Sequence, residues 1–591
     1  MIRKLITIAF LATLLPSVAQ QQTVNPKPLK PKPVNPKPLN PKPQTTNPQT
    51  TTPQTPNPQT PKPQTDNPQT DNPQTAKQPK LIVGLVIDQM RWDYLYRYKD
   101  LYEANGFKRL LNEGFSCENT MIPYTPTYTA PGHTCIYTGS VPAIHGIVSN
   151  GWFNSKTQQY VYCTDDDTAK TVGSTSSAGK MSPANMWTTT VTDELRLSNN
   201  FKSKVIGISL KDRGAILAAG HSANAAYWYD GTVGKWITSN HYMNELPQWV
   251  NQFNDKDLSG QYMTKDWNTL LPIAKYDQST TDDKPYEGTI RGETTVTFPH
   301  KLSALKKEDK YEAFRTTPFA MTYTFDFAKA AIENESLGKN TVPDFLAVSI
   351  SSTDYIGHTF GPNSIEAEDT YLRLDKDIAD FLTYLDTKLG KGNYLFFLTA
   401  DHAVAHVPGF LAEHKLPGGT VDDITIKNDL NKVVAEKINI TNAVAAVVNY
   451  QVYLSDAAKQ KEADVKELII ATLRKKDSTI ADAFDLGKIE MATLPETQKN
   501  MLINGYAPSR SGDIQFIFKP GYFDGGNKGT THGLWNPYDS HIPLLFYGWN
   551  VNQGKLNREI YMTDIAPTLA AMLQIQMPSG CIGHVITEVM K

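Results

Sequence analysis

The stretch Thr125 to Thr134, TPTYTAPGHT, contains residue types that could supply a nucleophile. It follows a predicted passage from strand to loop, and Pro126, Pro131 and Gly132 predict that no long regular helix runs through its middle. Such a turn can present one hydroxyl outward. A threonine hydroxyl is a weak nucleophile near neutral pH unless a base or a metal ion lowers its pKa. The stretch therefore predicts catalysis only if a base or metal ligands occur elsewhere in the chain.

Carboxylates and imidazoles recur where predicted strands end or where glycines cluster. These residues are Asp88, Asp354, His358, Asp401, His402 and, in the loop GGNKGTTHG, His532. Ligands of an open parallel sheet bind beyond the carboxyl ends of its strands, so we expect these side chains to meet. Asp354 and His358 are one helical turn apart and can face one ion.

The types of these side chains indicate which metal they would bind. Imidazole and carboxylate ligands without a thiolate suit zinc, although manganese or iron could occupy the same ligands. Six ligands are enough for two zinc ions about 4 Å apart, which is the arrangement that holds the attacking and leaving oxygens of a phosphoryl transfer.

An α/β fold is predicted by the elements that would position these residues. Apolar runs typical of buried parallel strands are Leu81–Ile87, Val205–Leu210, Phe345–Ile350, Tyr394–Ala400 and Ile542–Tyr547. Between them lie stretches with helical periodicity, predicted at Tyr94–Asn112 and Ile365–Leu389. The alternation predicts a central, mostly parallel sheet with helices on both faces. Two regions without this rhythm, near 227–310 and 411–498, are predicted insertions that wall or cap the site.

The N-terminal part has the pattern of an export signal followed by a tether. Residues 1–19 combine Arg3 and Lys4, an apolar run and small residues, which is typical of a secretory signal peptide. Residues 20–80 repeat short Pro, Thr and Gln phrases with almost no large apolar side chains, so we expect an extended, disordered tether. Folding should begin at Leu81, and 81–591 is the predicted catalytic domain. We expect a periplasmic or secreted protein with no membrane span in the mature chain.

Charge and cysteine content narrow the classes of partner and of metal site. The formal net charge is −2, so bulk charge gives no support for binding to nucleic acid or to an anionic membrane. The number of cysteines is even, as is common in exported proteins, and their three possible pairings stay open. A zinc site made of thiolates is excluded by their wide spacing. The four residues are Cys117, Cys135, Cys163 and Cys581.

The order of these separated motifs resembles the alkaline phosphatase superfamily. It looks most like the group related to type I phosphodiesterases and nucleotide pyrophosphatases. Within that group, SLKDRG with Lys211 and Arg213, together with Asn150 in HGIVSNGW, resembles the phosphate-irrepressible bacterial alkaline phosphatases, which are monoesterases. The resemblance covers most of the chain from Leu81 onward and implies an alkaline phosphatase-like fold.

The resemblance also implies a role for each motif residue. Thr129 would be the nucleophile that becomes transiently phosphorylated. One of two zinc ions would be held by Asp354, His358 and His532. The other would be held by Asp88, Asp401 and His402, with the Thr129 oxygen completing its ligands. The phosphoryl oxygens would contact Asn150, Lys211 and Arg213. Physical chemistry agrees, because a dianionic monoester needs more positive charge around its free oxygens than a diester does.

We therefore expect an exported, monomeric two-zinc alkaline phosphatase that hydrolyses small-molecule phosphate monoesters through a phosphothreonine. The alternative is a phosphodiesterase or nucleotide pyrophosphatase with the same metal site, against which Lys211 and Arg213 argue. A sulfatase is set aside because Cys135 lacks the surroundings of the modified residue in those enzymes. A binding or envelope protein with an inactive domain predicts a broken ligand set, whereas all six ligands are present.

Overall fold

The computed structural model describes residues 78–475 and 479–591. The predicted signal peptide and nearly all of the predicted tether lie outside this part of the chain. Within it, no helix is both long enough and apolar enough to cross a lipid bilayer. The four cysteines are free thiols, so none of the three possible disulfide pairings is present.

Strands and helices alternate along most of the described chain. The strands are β1 Leu81–Ile87, β2 Phe115–Met121, β3 Gly151–Asn154, β4 Gln159–Tyr162, β5 Thr171–Val172, β6 Val205–Ser209, β7 Ala225–Asp230, β8 Lys235–Ser239, β9 Asp344–Ile350, β10 Tyr394–Thr399, β11 Gly419–Val421, β12 Val444–Val448, β13 Gln451–Leu454, β14 Ile480–Asp485, β15 Ile514–Phe518, β16 Tyr522–Asp524, β17 His541–Gly548, β18 Gly554–Leu556 and β19 Ile560–Tyr561. The α-helices are α1 Tyr94–Arg97, α2 Phe107–Glu113, α3 Thr129–Thr138, α4 Pro142–His145, α5 Val191–Ser198, α6 Asp212–Ala219, α7 Gln248–Asn254, α8 Leu258–Tyr262, α9 Lys307–Phe314, α10 Phe319–Asn334, α11 Ser352–Phe360, α12 Ile365–Leu389, α13 Pro408–Glu413, α14 Asp423–Ile438, α15 Glu462–Lys475, α16 Glu496–Gly505, α17 Pro537–Ser540 and α18 Ile565–Leu573.

The main sheet has a parallel centre and mixed edges. Its strand order is β18-β2-β17-β10-β1-β9-β6-β7-β8-β5, with β19 paired to β2. The central strands β10, β1, β9, β6 and β7 are parallel, and every residue of β1 is buried. Strand β17 runs antiparallel to β10, and β8 runs antiparallel to β7. The predicted α/β fold with a mostly parallel central sheet is therefore confirmed.

Local differences from the sequence prediction have simple causes. Helix α12 has the predicted bounds, and its N-terminus is capped by the Ser364 hydroxyl, which accepts a hydrogen bond from the backbone N–H of Ala367. The helix predicted over Tyr94–Asn112 is broken into α1, a 3₁₀ turn and α2. The break precedes Gly106, where the side chain of Asp375 approaches so closely that a Cβ could not fit. Strands β7 and β8 continue the main sheet into the segment predicted as the first insertion.

The second predicted insertion contributes to a smaller sheet with its own core. Strands β12, β13, β15 and β14 form this sheet, and α14 and α15 pack on it. Its buried core includes Ile426, Leu430, Val452, Val465, Ile469, Phe516 and Phe518. We call this unit the small-sheet region, which comprises residues 423–475 and 479–518.

Candidate active site

Four neighbouring parallel strands deliver most of the predicted site residues to one edge of the main sheet. Asp88 follows β1, Asp401 and His402 follow β10, Lys211 follows β6, and Asp354 lies in the helix that follows β9. Because these strands are adjacent and parallel, their carboxyl ends meet. The five side chains are nearly or fully buried there.

Thr129 approaches this edge as the first residue of helix α3. The prediction from Pro126, Pro131 and Gly132 that no long regular helix runs through the middle of this stretch is wrong, because α3 begins at Thr129 and includes Pro131 and Gly132. Pro131 is the third helical residue, where a backbone N–H would have no partner within the helix, so its missing donor costs nothing. Gly132 lets the helix approach the strand end, because a Cβ there would lie 2.4 Å from the carbonyl oxygen of Asp401. The hydroxyl of Thr129 lies 3.2 Å from Nε2 of His402.

The first predicted ligand set converges. Nε2 of His358 lies 3.1 Å from Oδ1 of Asp354, across one turn of α11. Nε2 of His532 lies 3.8 Å from the same oxygen. Donor atoms of these three residues all lie within 4.8 Å of one another, which suits a metal ion.

The second predicted ligand set is arranged around His402. Its Nε2 lies 3.4 Å from Oδ1 of Asp88 and 3.6 Å from Oδ2 of Asp401. Donor atoms of Asp88, Asp354 and His402 lie within 4.8 Å of one another, so Asp354 belongs to both groups. Asp401 lies beside this group, and its Oδ2 is also 3.3 Å from Nδ1 of His133.

Backbone carbonyls orient the three candidate imidazole ligands in the same way. The Nδ1 atoms of His358, His402 and His532 lie 2.7, 3.0 and 2.6 Å from the carbonyl oxygens of Thr530, Ala403 and Thr127. A carbonyl oxygen can only accept, so each Nδ1 carries the proton. This leaves Nε2 of each ring free of that proton and available as a candidate ligand atom.

Lys211 links the two groups electrostatically. Its ammonium donates hydrogen bonds to Oδ2 of Asp88 at 2.7 Å and to Oδ2 of Asp354 at 2.5 Å. Burial raises the pKa of Asp88, and the nearby Asp354 and Asp401 raise it further. Burial alone would also raise the pKa of Asp354, but the charges of His358 and Lys211 outweigh it and hold that pKa well below its usual range.

The other two predicted phosphoryl contacts are Asn150, directly before β3, and Arg213, in helix α6. Oδ1 of Asn150 accepts a hydrogen bond from the N–H of Ala130 at 2.9 Å, so Asn150 is tied to the residue after Thr129. Arg213 lies in the first turn of α6, where a helix N-terminus favours anions. Its guanidinium donates to the Tyr162 hydroxyl at 2.8 Å, and its buried Nε has no hydrogen-bond partner among the described residues.

Sequence reasoning missed Gln89, which contacts both ligand groups. Its backbone N–H donates to Oδ1 of Asp401 at 3.2 Å, and its side-chain amide donates to Oδ1 of Asp354 at 2.6 Å. The residue has a left-handed backbone with φ of 67°, and Gly357 leaves room for its side chain. Its position directly after a strand-end aspartate was the available signal.

His133 supports the start of helix α3. Its Nδ1 lies 3.0 Å from the carbonyl oxygen of Thr129, and its Nε2 lies 2.9 Å from the hydroxyl of Ser349. The ring is fully buried. It therefore fixes the start of α3 against strand β9.

One family model and three relatives match most of this chain. Residues 82–541 match the model of the type I phosphodiesterase / nucleotide pyrophosphatase family. The chain is 53% identical over 517 residues to the alkaline phosphatase PhoV of Synechococcus elongatus, covering 87% of this chain and 93% of the relative. It is 51% identical over 520 residues to the alkaline phosphatase PafA of Elizabethkingia meningoseptica, covering 87% and 94%. A Myroides odoratus protein named calcium-transporting ATPase is 54% identical over 519 residues, covering 87% and 95%.

Solved structures agree with these relatives. The crystal structure of PafA superposes with a TM-score of 0.85 at 50% identity, covering 87% of this chain and 99% of that one. A second crystal structure, of a PafA variant, matches with a TM-score of 0.84 at 50% identity and the same coverage. That variant has a threonine changed to serine, and an asparagine, a lysine and an arginine changed to alanine.

Proposed function

The chain belongs to the type I phosphodiesterase / nucleotide pyrophosphatase family, and on that basis we propose that it is an alkaline phosphatase that hydrolyses phosphate monoesters through a phosphothreonine at Thr129. The single observation that carries the proposal is the convergence of two ligand groups beside the Thr129 hydroxyl, with Lys211 between them. Two of the three relatives at about half identity over most of the chain are alkaline phosphatases by name.

The four residues proposed to act on the phosphoryl group have counterparts by type in the solved PafA variant. Its changed residues are a threonine, an asparagine, a lysine and an arginine, in that order along the chain. This chain has the same order in Thr129, Asn150, Lys211 and Arg213, and the last two are separated by one residue in both proteins. The agreement supports these four assignments without depending on the metal.

The donor atoms fit two zinc ions. Three imidazoles present Nε2, and the buried Oδ1 of Asp88 has no hydrogen-bond donor among the described residues, while Oδ2 of Asp401 has Nδ1 of His133 at 3.3 Å. Buried carboxylate oxygens without partners are costly unless a cation binds them. Asp354, His358 and His532 would hold one zinc, and Asp88, Asp401 and His402 the other. When bound, zinc would supply positive charge that favours ionisation of the nucleophile and stabilises the leaving oxygen.

The protein's own groups would bind and orient the substrate. The oxygen of Thr129 forms a bond to phosphorus while the bond from phosphorus to the ester oxygen breaks, and the alcohol leaves. Water then attacks the phosphothreonine, which releases inorganic phosphate and restores the Thr129 hydroxyl. Asn150, Lys211 and Arg213 would hold the non-bridging oxygens, with Arg213 offering two parallel donors and Lys211 a compact charge.

The class of substrate follows from the positive charges of Lys211 and Arg213. A monoester dianion presents more negative charge to Lys211 and Arg213 than a diester monoanion does. A diester also carries a second substituent that would need room near these charged groups. We therefore infer small-molecule monoesters as substrates. A phosphodiesterase activity is the second candidate, because the family model that matches the chain carries that name.

The cellular setting is part of the same proposal. The N-terminal sequence with Arg3, Lys4 and an apolar run supports export to the periplasm or the medium. We infer that the enzyme acts there as a monomer on substrates outside the cytoplasm.

The experiment that tests the proposed function compares kcat/KM for an aryl phosphate monoester and for its methyl diester, using zinc-loaded and metal-stripped chain. A strong, zinc-dependent preference for the monoester is expected. A preference for the diester would replace the proposal with the phosphodiesterase function. Turnover that does not depend on metal would contradict the two-ion site.

A further inference from the structure

A two-residue turn of the small-sheet region reaches into the active site. Asn449 and Tyr450 connect β12 to β13, and both have a left-handed backbone, with φ of 58° and 61°. This is the conformation of a type I′ hairpin turn. Asparagine adopts it readily, but a tyrosine does so only where its surroundings hold it.

The side chain of Asn449 holds the residues on both sides of Asn150. Its Oδ1 accepts a hydrogen bond from the hydroxyl of Ser149 at 2.8 Å. Its Nδ2 donates to the carbonyl oxygen of Gly151 at 2.8 Å. One amide group therefore bridges the two residues that flank Asn150.

The other residue of the turn is tied to the metal-ligand side of the site. The hydroxyl of Tyr450 donates to the carbonyl oxygen of His532 at 3.2 Å. Its ring stacks on that of Tyr128, the residue before Thr129, with 6.4 Å between centroids. Gly533 makes this approach possible, because a Cβ there would lie 2.8 Å from the Tyr450 ring. The turn that contains Asn449 is thus fixed, through Tyr450, to the segments that carry His532 and Thr129.

The Asn150 side chain depends on this support for its direction. Its Oδ1 is used by the N–H of Ala130, which fixes one end of the amide. Its Nδ2 makes no hydrogen bond with any of the described residues, so this donor is available to a substrate oxygen. The direction of Nδ2 is then set by where the backbone between Ser149 and Gly151 lies, and Asn449 bonds to both of those residues.

We propose that Asn449 is a positioning residue that aims the Asn150 amide at the phosphoryl group, so that the small-sheet region affects substrate binding through Asn150. The inference rests on the proposed function, in which Asn150 contacts a non-bridging oxygen. It assigns a specific task to a segment outside the motifs that carry the chemistry.

A purely structural role for Asn449 makes a different prediction. If the amide only joined the small sheet to the main sheet, its loss would lower stability and would reduce activity whether or not residue 150 carried an amide. A positioning role instead makes the effect of Asn449 disappear once Asn150 has been removed, because nothing is left to aim. A double-mutant cycle separates the two roles.

The test uses two variants that weaken the bridge in different ways. Asn449→Gly removes the amide and keeps a residue that tolerates positive φ. Ser149→Ala removes only one of the two bonds and leaves the turn intact, so it serves if the first variant folds poorly. Asn439→Gly is the matched control, since Asn439 is exposed, lies in the same region and also has a left-handed backbone with φ of 62°.

Each variant is made in the full chain with Asn150 and with Asn150→Ala, and kcat/KM for an aryl phosphate is measured with zinc content and Tm. With Asn150 present, Asn449→Gly should lower kcat/KM about tenfold to a hundredfold, the range expected when a binding group is misplaced by a fraction of an ångström to 1 Å. Ser149→Ala should cause a smaller loss. In the Asn150→Ala background both losses should vanish, and Asn439→Gly should change nothing.

Equal losses in the two backgrounds, or no loss with Asn150 present, would overturn the proposal. Its failure is distinguishable from failure of the proposed function. If the unchanged chain prefers the diester, the function is revised, and the same cycle measured with the diester still decides whether Asn449 acts through Asn150.

Discussion

Replacing Lys211 with alanine should change the choice of substrate more than it changes the fold. Lys211 is 4% exposed, and its ammonium lies between the two ligand groups, so water screens the charge weakly. A monoester carries about one more unit of negative charge than a diester. At about 4 Å and an effective dielectric constant of about 20, one unit charge is worth about 4 kcal/mol. Arg213 remains in the variant, so we reduce the expected difference to about 2–3 kcal/mol.

This free energy corresponds to a selective loss of about 30-fold to 150-fold in kcat/KM for the monoester relative to the diester. The assay measures kcat/KM for an aryl phosphate and its methyl diester with the unchanged chain and with Lys211→Ala. Zinc content is determined for each sample, because Lys211 also contacts two candidate ligands. Lys307→Ala, at an exposed position that starts α9, is the control for loss of a lysine. Equal losses for both substrates at full zinc content would refute the charge argument.

Three further predictions concern packing, pH and metal. Gly132→Ala should lower Tm and should lower kcat/KM by at least about 100-fold, because the added Cβ would lie 2.4 Å from the Asp401 carbonyl oxygen and displace the start of α3. Gly526→Ala is the control and should leave both quantities unchanged, since a Cβ there has no neighbour within 4 Å. Burial lowers the pKa of His300, but hydrogen bonds to Glu293 and Glu366 outweigh burial and raise that pKa to about 9. Protonated His300 therefore stabilises the folded chain fully below pH 6.5, and this contribution to the free energy of unfolding is lost as pH rises through 9. Its loss amounts to about 3 kcal/mol, and Tm measured from pH 6 to pH 10 should fall less in His300→Gln than in the unchanged chain. Chelation should lower Tm and abolish turnover together, and added zinc should restore both; a Tm indifferent to chelation would contradict a metal site built from buried carboxylates.

The strand ends were predictable because buried parallel strands have a distinct pattern. Runs such as Leu81–Ile87 are continuously apolar and end at an acid, and the structure places Asp88 directly beyond β1. Adjacent parallel strands then bring their terminal residues together, so strand recognition also located the candidate site. Asp354 and His358 followed from the helical repeat and do face each other across α11.

Features that depend on tertiary packing were not predictable from the sequence. Pro131 suggested a break, but a proline in the first turn of a helix removes no hydrogen bond, and the close approach of Gly132 to Asp401 is a contact between distant parts of the chain. Gln89 reaches two carboxylates only because its backbone is left-handed and Gly357 leaves space.

The contacts of the small-sheet region could not be predicted from the sequence because they join residues that are far apart along the chain. Asn449 meets Ser149 and Gly151 across about half of the chain, and no local pattern reports such a contact. The segment was predicted to wall or cap the site from its lack of a strand-helix rhythm. The role of the region as a wall or cap of the site stays a prediction.

The central claim is that Thr129 becomes phosphorylated during turnover. The most direct measurement is mass spectrometry of peptides from the zinc-loaded chain, quenched with acid during hydrolysis of an aryl phosphate. We predict a phosphate on Thr129, its absence in Thr129→Ala, and nearly complete loss of turnover in that variant at full zinc content. Phosphate on a different residue, or turnover by Thr129→Ala at the rate of the unchanged chain, would contradict the account.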